Sequence, residues 1–175
     1  MKLRHALFVF CLIPTLGWAE FQQTYTDDFY QFQISLPTSE WSFVDIANPN
    51  DVKNLVKVKM TFAHAVDQFV PNITLSLYQT KPETKLDLEQ ALQESLRAYP
   101  TQLKLLQKKK LALHQLQGFD VVLWDEETHL KFRQCFVLAQ KRIFILTYTA
   151  RVWSFERYQK DFEKVLHSFK ILERI

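Results

Sequence analysis

Tyr30, Phe32, Ile34 and Leu36 alternate with Gln31, Gln33 and Ser35. That period of two is the mark of a half-buried strand. Pro37 ends it, because proline has no N–H to give a sheet ladder. The polar residues 20–28 before it read as a loose lead-in, and the TSE that follows reads as a turn. WSFVDI then resumes strand character through Trp41, Phe43, Val44 and Ile46. Residues 48–54, NPNDVKN, are loop by their Asn, Pro and Asp. LVKVKMTF sets Val56, Val58, Met60 and Phe62 on one face and Lys57, Lys59 and Thr61 on the other. NITLSLY repeats the alternation, with Ile73, Leu75 and Leu77 against Thr74, Ser76 and Tyr78.

The period changes at KLDLEQALQESLRAYP, where Leu88, Ala91, Leu92, Leu96 and Tyr99 follow helical spacing. Asp87 is a good N-cap, Gln90 stands where a capping box needs it, and Pro100 stops the helix. Four strand-like runs follow: LKLLQKKKLAL, GFDVVLW, LKFRQCFVL and RIFILTYT. The short turns QLQG, DEETH and AQK make them antiparallel neighbours. IFILTYTA is apolar on both faces and predicts a central strand covered from both sides. A second helix closes the pattern. Tyr158, Phe162, Val165, Leu166 and Phe169 form its stripe, Ser154 is its expected N-cap, and Trp153 and Tyr158 are placed to staple across that cap.

The first nineteen residues stand apart. Lys2 and Arg4 precede the apolar run from Ala6 to Ile13, Pro14 interrupts it, and Gly17 and Ala19 are small residues before Glu20. This is the pattern of a secretory signal peptide, too short for a comfortable membrane span of roughly 20 residues. The expected organisation is a signal peptide over 1–19 and a single domain over 20–175, located in the periplasm or secreted. No stable membrane insertion is expected after cleavage. Without Lys2 and Arg4 the 22 basic residues fall to 20 against 19 acidic ones, so charge does not support nucleic-acid binding. Of the 2 cysteines only Cys135 remains, which leaves the core and not disulfides to hold the fold.

FQISLPTSEW, GFDVVLW and RIFILTYTA…FEKVLHSFKIL, in this element order, resemble the PsbP-like fold family, which includes PsbP and DcrB-type bacterial envelope proteins. The resemblance spans about residues 28 to 172. It implies an α+β protein, an α/β/α sandwich with a central antiparallel sheet flanked by helices. It also implies a role in binding or assembly in place of catalysis. It departs from the family in two respects. The metal-linked positions of PsbP have no residue-by-residue match here, and the lipid-anchor cysteine of DcrB-type proteins is absent. The resemblance carries over no functional residue.

Chemistry is sparse. Gly118 is the one glycine after residue 19, so a glycine-rich phosphate cradle is excluded, as is a G-x-S-x-G elbow. DEETH offers Asp125, Glu127 and His129 as ion ligands, and equally reads as a solvated hairpin tip. Cys135 lies within a strand, with His129 and Arg133 on its face. It reads as a thiol nucleophile or, more simply, as a small buried hydrophobe. Lys108, Lys109 and Lys110 alternate sides of a strand and so do not form one basic face. Trp41, Trp124 and Trp153 lie beside turns or caps; most are expected to close the ends of the core, and an exposed one can anchor a protein partner. No catalytic residue, metal site or cofactor is assigned. The expected function is that of an exported, non-enzymatic binding or accessory protein of the bacterial envelope, acting through protein–protein contacts. The alternative is a periplasmic carrier of a small apolar or lipid-like ligand, held in a cleft between sheet and helix.

Overall fold

The structure, a computed structural model, describes residues 23–47, 55–66, 68–78, 87–97 and 103–172. The expected signal peptide, the loop 48–54, Tyr99 and Pro100 lie outside them. In chain order the strands are β1 Thr24–Asp27, β2 Phe32–Ser35, β3 Trp41–Val44, β4 Val56–Phe62, β5 Asn72–Tyr78, β6 Lys104–Leu113, β7 Leu116–Asp125, β8 Leu130–Ala139, β9 Arg142–Arg151 and β10 Lys170–Ile171. The helices are α1 Leu88–Arg97 and α2 Gln159–Ser168, the second entered through a 3-10 turn, Phe155–Tyr158. The strands pair antiparallel in a sheet of order β3-β4-β5-β9-β8-β7-β6 and a smaller one of order β1-β2-β10. The protein is an α+β fold built mostly of antiparallel sheet.

β9 is the fourth of seven strands, as its two apolar faces require, and it is buried along nearly its whole length. Even-numbered side chains of β9 join one cluster. Phe144, Leu146 and Tyr148 pack with Phe32 and Ile34 of β2 and with Phe162, Val165 and Leu166 of α2. Odd-numbered ones join the other, where Ile143 and Ile145 meet Val121, Leu123, Phe136 and the α1 residues Ala91 and Leu92. Each fully buried large side chain contributes about 1.5–3 kcal/mol. Asp87 caps α1 by accepting the Glu89 N–H at 2.7 Å. Gln90 does not close a capping box; its amide turns forward to Glu94, at 2.9 Å.

Several expectations change. Residues 24–27 are not loose but form β1, paired with β2 from Thr24↔Ser35 to Asp27↔Phe32. The first predicted strand therefore belongs to the small sheet and not to the central one. The alternation of β4 breaks at a bulge between Val56 and Val58. The extra residue turns Lys57 inward, where it is 1% exposed with its ammonium 4.5 Å from the centre of the Tyr30 ring. The same bulge places Val56 opposite Ser76 while Val58 opposes Leu75, so the two valines leave on different faces. Gly118 is not in a turn but inside β7, opposite Val137. A Cβ there would stand 2.0 Å from the backbone oxygen of Phe136, so only glycine lets β7 and β8 approach. Ser154 precedes the 3-10 turn without a side-chain cap, its hydroxyl donating back to the Arg151 carbonyl at 3.3 Å.

Candidate functional site

β9 ends, and β8 begins, at one end of the central sheet, where the β4–β5 connection also arrives. Val152 N–H donates to the His129 carbonyl at 3.0 Å and fixes the chain leaving β9. Trp153 follows and is 60% exposed. It does not staple to Tyr158. Its ring lies 6.0 Å from His129 and 5.9 Å from the Arg151 guanidinium. Arg151 also lies 5.9 Å from the Phe69 ring. Phe69 is held in place because it exchanges both backbone hydrogen bonds with Val66, at 2.7 and 3.1 Å. Val70 beside it is 39% exposed. The Arg151 guanidinium donates to the Thr128 carbonyl, while its Nε has no hydrogen-bond partner among the described residues. The result is a half-buried cation set between an exposed ring, Trp153, and a half-buried one, Phe69. Trp and Arg are enriched among the few residues that carry most of the binding energy of protein contacts.

The sequence candidates fall around this end without forming a metal centre. Asp125 is buried, and its carboxylate accepts the Glu127 and Thr128 N–H groups at 3.0 and 3.3 Å and the Thr128 hydroxyl at 2.7 Å. It shapes the turn. Glu127 is exposed and His129 faces Trp153, so the three do not converge. Among the described residues no three His, Cys, Asp or Glu side chains are grouped to hold an ion.

Cys135 is fully buried, opposite Asp120 on β7. Burial pushes its thiol well above the usual range and Asp120 adds to that, with Arg133 and Lys109 opposing. A thiol so disfavoured as thiolate is not poised as a nucleophile. Arg133 does share its face, but His129 sits back in the turn, six residues away along the extended chain.

Sequence reasoning missed the charges beneath α2. Arg133 grips Asp120 through two bonds, Nε at 3.1 Å and a terminal nitrogen at 2.9 Å, and reaches Glu163 of α2 at 3.2 Å. Lys109 adds a contact to Asp120 at 3.1 Å. Burial works against the charge on Arg133, but the Asp120 carboxylate outweighs it and raises the guanidinium above its ordinary value. With Lys131, Glu156 and Phe155 these groups line a polar cleft of about 320 Å³. A signal for the pair existed. The DEETH turn fixes the β7–β8 register, and that register puts Asp120 and Arg133 two residues apart on facing strands. The three lysines divide as expected, Lys108 to Glu89 of α1 and Lys109 to Asp120 on the opposite face. Trp41 is buried and donates its indole N–H to Asp161 of α2 at 3.0 Å, so it closes the core and is not a contact residue.

No protein-family model matches this sequence. No curated protein matches it either. Solved structures do match in fold. The cyanobacterial PsbP (CyanoP) from Synechocystis sp. PCC 6803 superposes with a TM-score of 0.61 at 11% identity, covering 91% of this chain and 96% of that one. LpqN of Mycobacterium tuberculosis, described as involved in cell envelope biogenesis, gives 0.55 at 12% identity over 87% of this chain and 92% of its own. PA94 from Pseudomonas aeruginosa gives 0.54 at 12% identity over 88% and 98%. Identities this low speak for architecture alone, and at that level the chain has the PsbP-like fold.

Proposed function

We propose that this protein is an exported, non-enzymatic accessory protein of the bacterial envelope, acting through protein–protein contacts at the end of the central sheet around Trp153. The carrying observation is the cluster of exposed Trp153 and Val70 and half-buried Arg151 and Phe69, with Trp153 60% in solvent and the Arg151 cation within 6 Å of two rings. A ring that contributes little to its own core is free to bury itself against a partner. In this reading residues 1–19 are a signal peptide and 20–175 a single domain arranged as an α/β/α sandwich; the secretory pattern of residues 1–19 and the envelope role printed for LpqN support the compartment.

A photo-crosslinking residue at position 153, compared with one at the exposed position 160 on α2, tests the reading in the native envelope. We expect a discrete crosslinked protein from position 153 alone, lost when Arg151→Ala and Val70→Ser are added while melting is unchanged. Equal labelling from both positions, or none from 153, would overturn it.

A further inference from the structure

The face of the central sheet that carries α1 is only partly covered by it. A helix of ten residues is about 15 Å long, and Ala91 and Leu92 set α1 over β7, β8 and the first half of β9. Beside it, over β4, β5 and the rest of β9, lies a groove of about 590 Å³. This is within the range of small-molecule sites, about 300–1,000 Å³.

The groove has two kinds of wall. Leu55, Val56 and Ile145 make it apolar at one side, and Leu55 is left 49% exposed on the rim. Thr74, Ser76, Thr147 and Thr149 give it a floor of hydroxyls, joined by the amide of Gln134. The floor's deepest parts are Gln134 at 3% and Thr149 at 8% exposed, with Thr74, Ser76 and Thr147 half-buried. Gln134 donates to the Thr147 hydroxyl at 3.2 Å and meets the Ser95 hydroxyl at 3.5 Å. A hydroxyl that accepts one bond still has a proton and a lone pair to offer.

Among the described lining residues Glu94 is the one ionised group, and it is spoken for. Its two oxygens accept the Tyr78 hydroxyl at 2.5 Å and the Gln90 amide at 2.9 Å. Burial, then the bond to Glu94, pushes the Tyr78 phenol up to about 12, so it remains a donor at neutral pH. The Tyr78–Glu94 bond thus ties the end of β5 to α1 and closes that end of the groove. Among the described lining residues an anionic head group would find no cation to meet it, and the Glu94 carboxylate lies nearby. A cationic one would find its counter-charge only at Glu94, on the exposed α1 side of the groove, and none on the hydroxyl floor. Desolvating either charge without a partner is costly, whereas a neutral hydroxyl or amide matches the floor.

We propose that this groove binds one molecule of an uncharged amphiphile, with a hydrocarbon chain against Leu55, Val56 and Ile145 and a hydroxyl or amide head on the threonine floor. The site is separate from the contact surface at Trp153 and does not depend on it. Calorimetric titration of the full chain with monolauroylglycerol, laurate and dodecyltrimethylammonium, each below its micelle concentration, tests it. The expected result is one-to-one binding of monolauroylglycerol and at least about tenfold weaker binding of both charged probes, the charge being unpaired on transfer. Ser76→Trp fills the groove from a half-buried strand position and should abolish binding with melting unchanged. Trp153→Ala should leave binding intact. Equal affinity for all three probes, no binding of the neutral one, or binding that survives Ser76→Trp would overturn the proposal. So would self-association in sedimentation that Ser76→Trp abolishes, which would make the groove an interface between copies.

Discussion

The two faces of the central sheet are built from the same strands and differ in kind. On the α2 side aromatic rings interlock through the full thickness of the layer. Phe144 lies 5.9 Å from Phe32 and 5.3 Å from Phe169, and Tyr148 lies 4.9 Å from Phe155 and 5.8 Å from Phe162. The Tyr148 hydroxyl donates to the Phe155 carbonyl at 2.9 Å, so even the polar tip of that ring is satisfied inside. On the α1 side the buried cluster holds fewer aromatic rings, and the groove beside α1 carries threonine and serine. The difference teaches where stability and binding can be separated. A closed aromatic layer holds the fold, and among the described residues the other face is covered by α1 only in part.

The largest effect should come from opening the closed face. Phe162→Ala removes a fully buried ring and is expected to cost about 3–5 kcal/mol in denaturant unfolding. Thr74→Ala on the other face should cost less than about 1 kcal/mol. Similar losses would show that the two faces do not differ as described.

The charges on the α2 side come next. Asp120→Ala leaves Arg133 buried with only the half-exposed Glu163 beside it, at a cost of about 3 kcal/mol. Arg133→Met added to it should restore most of that loss, because no unpaired charge then remains. If the double variant is as unstable as the single one, the pair is not what holds β7, β8 and α2 together there.

The smallest effect is a pH slope. The folded Cys135 thiol lies above the unfolded value of about 8.5. As pH rises the unfolded chain therefore loses its proton first. Stability from this group is full below about 8.5 and falls by about 1.4 kcal/mol per pH unit above it. Cys135→Ala should lack that slope when unfolding midpoints are followed from about pH 7.5 to 10. Parallel curves for the two proteins would show that the thiol ionises in the folded state.

Much of the fold was legible along the chain. The α2 stripe is buried at Tyr158, Phe162, Val165, Leu166 and Phe169, the Asp87 cap is made, and β6 to β9 follow their predicted runs. The site was legible only as types of residue. Trp153 was a candidate, but Arg151, Phe69 and Val70 were not. They come from separate stretches, and nothing in either stretch points to the other.

What the sequence determined by itself is periodic: which side chains of a segment turn inward, and where proline or a cap ends the segment. Tertiary structure decided what each inward face meets. β2 is buried as its alternation requires, yet it pairs with β1 and β10 outside the central sheet. Lys57 is buried against its alternation because one bulge shifts the pairing of β4 on β5. Gly118 is needed because the Phe136 carbonyl of the neighbouring strand comes within 2.0 Å of where a Cβ would be. A period of two is set by the local geometry of the backbone, whereas register, bulges and close approaches are chosen by contacts between strands far apart in sequence.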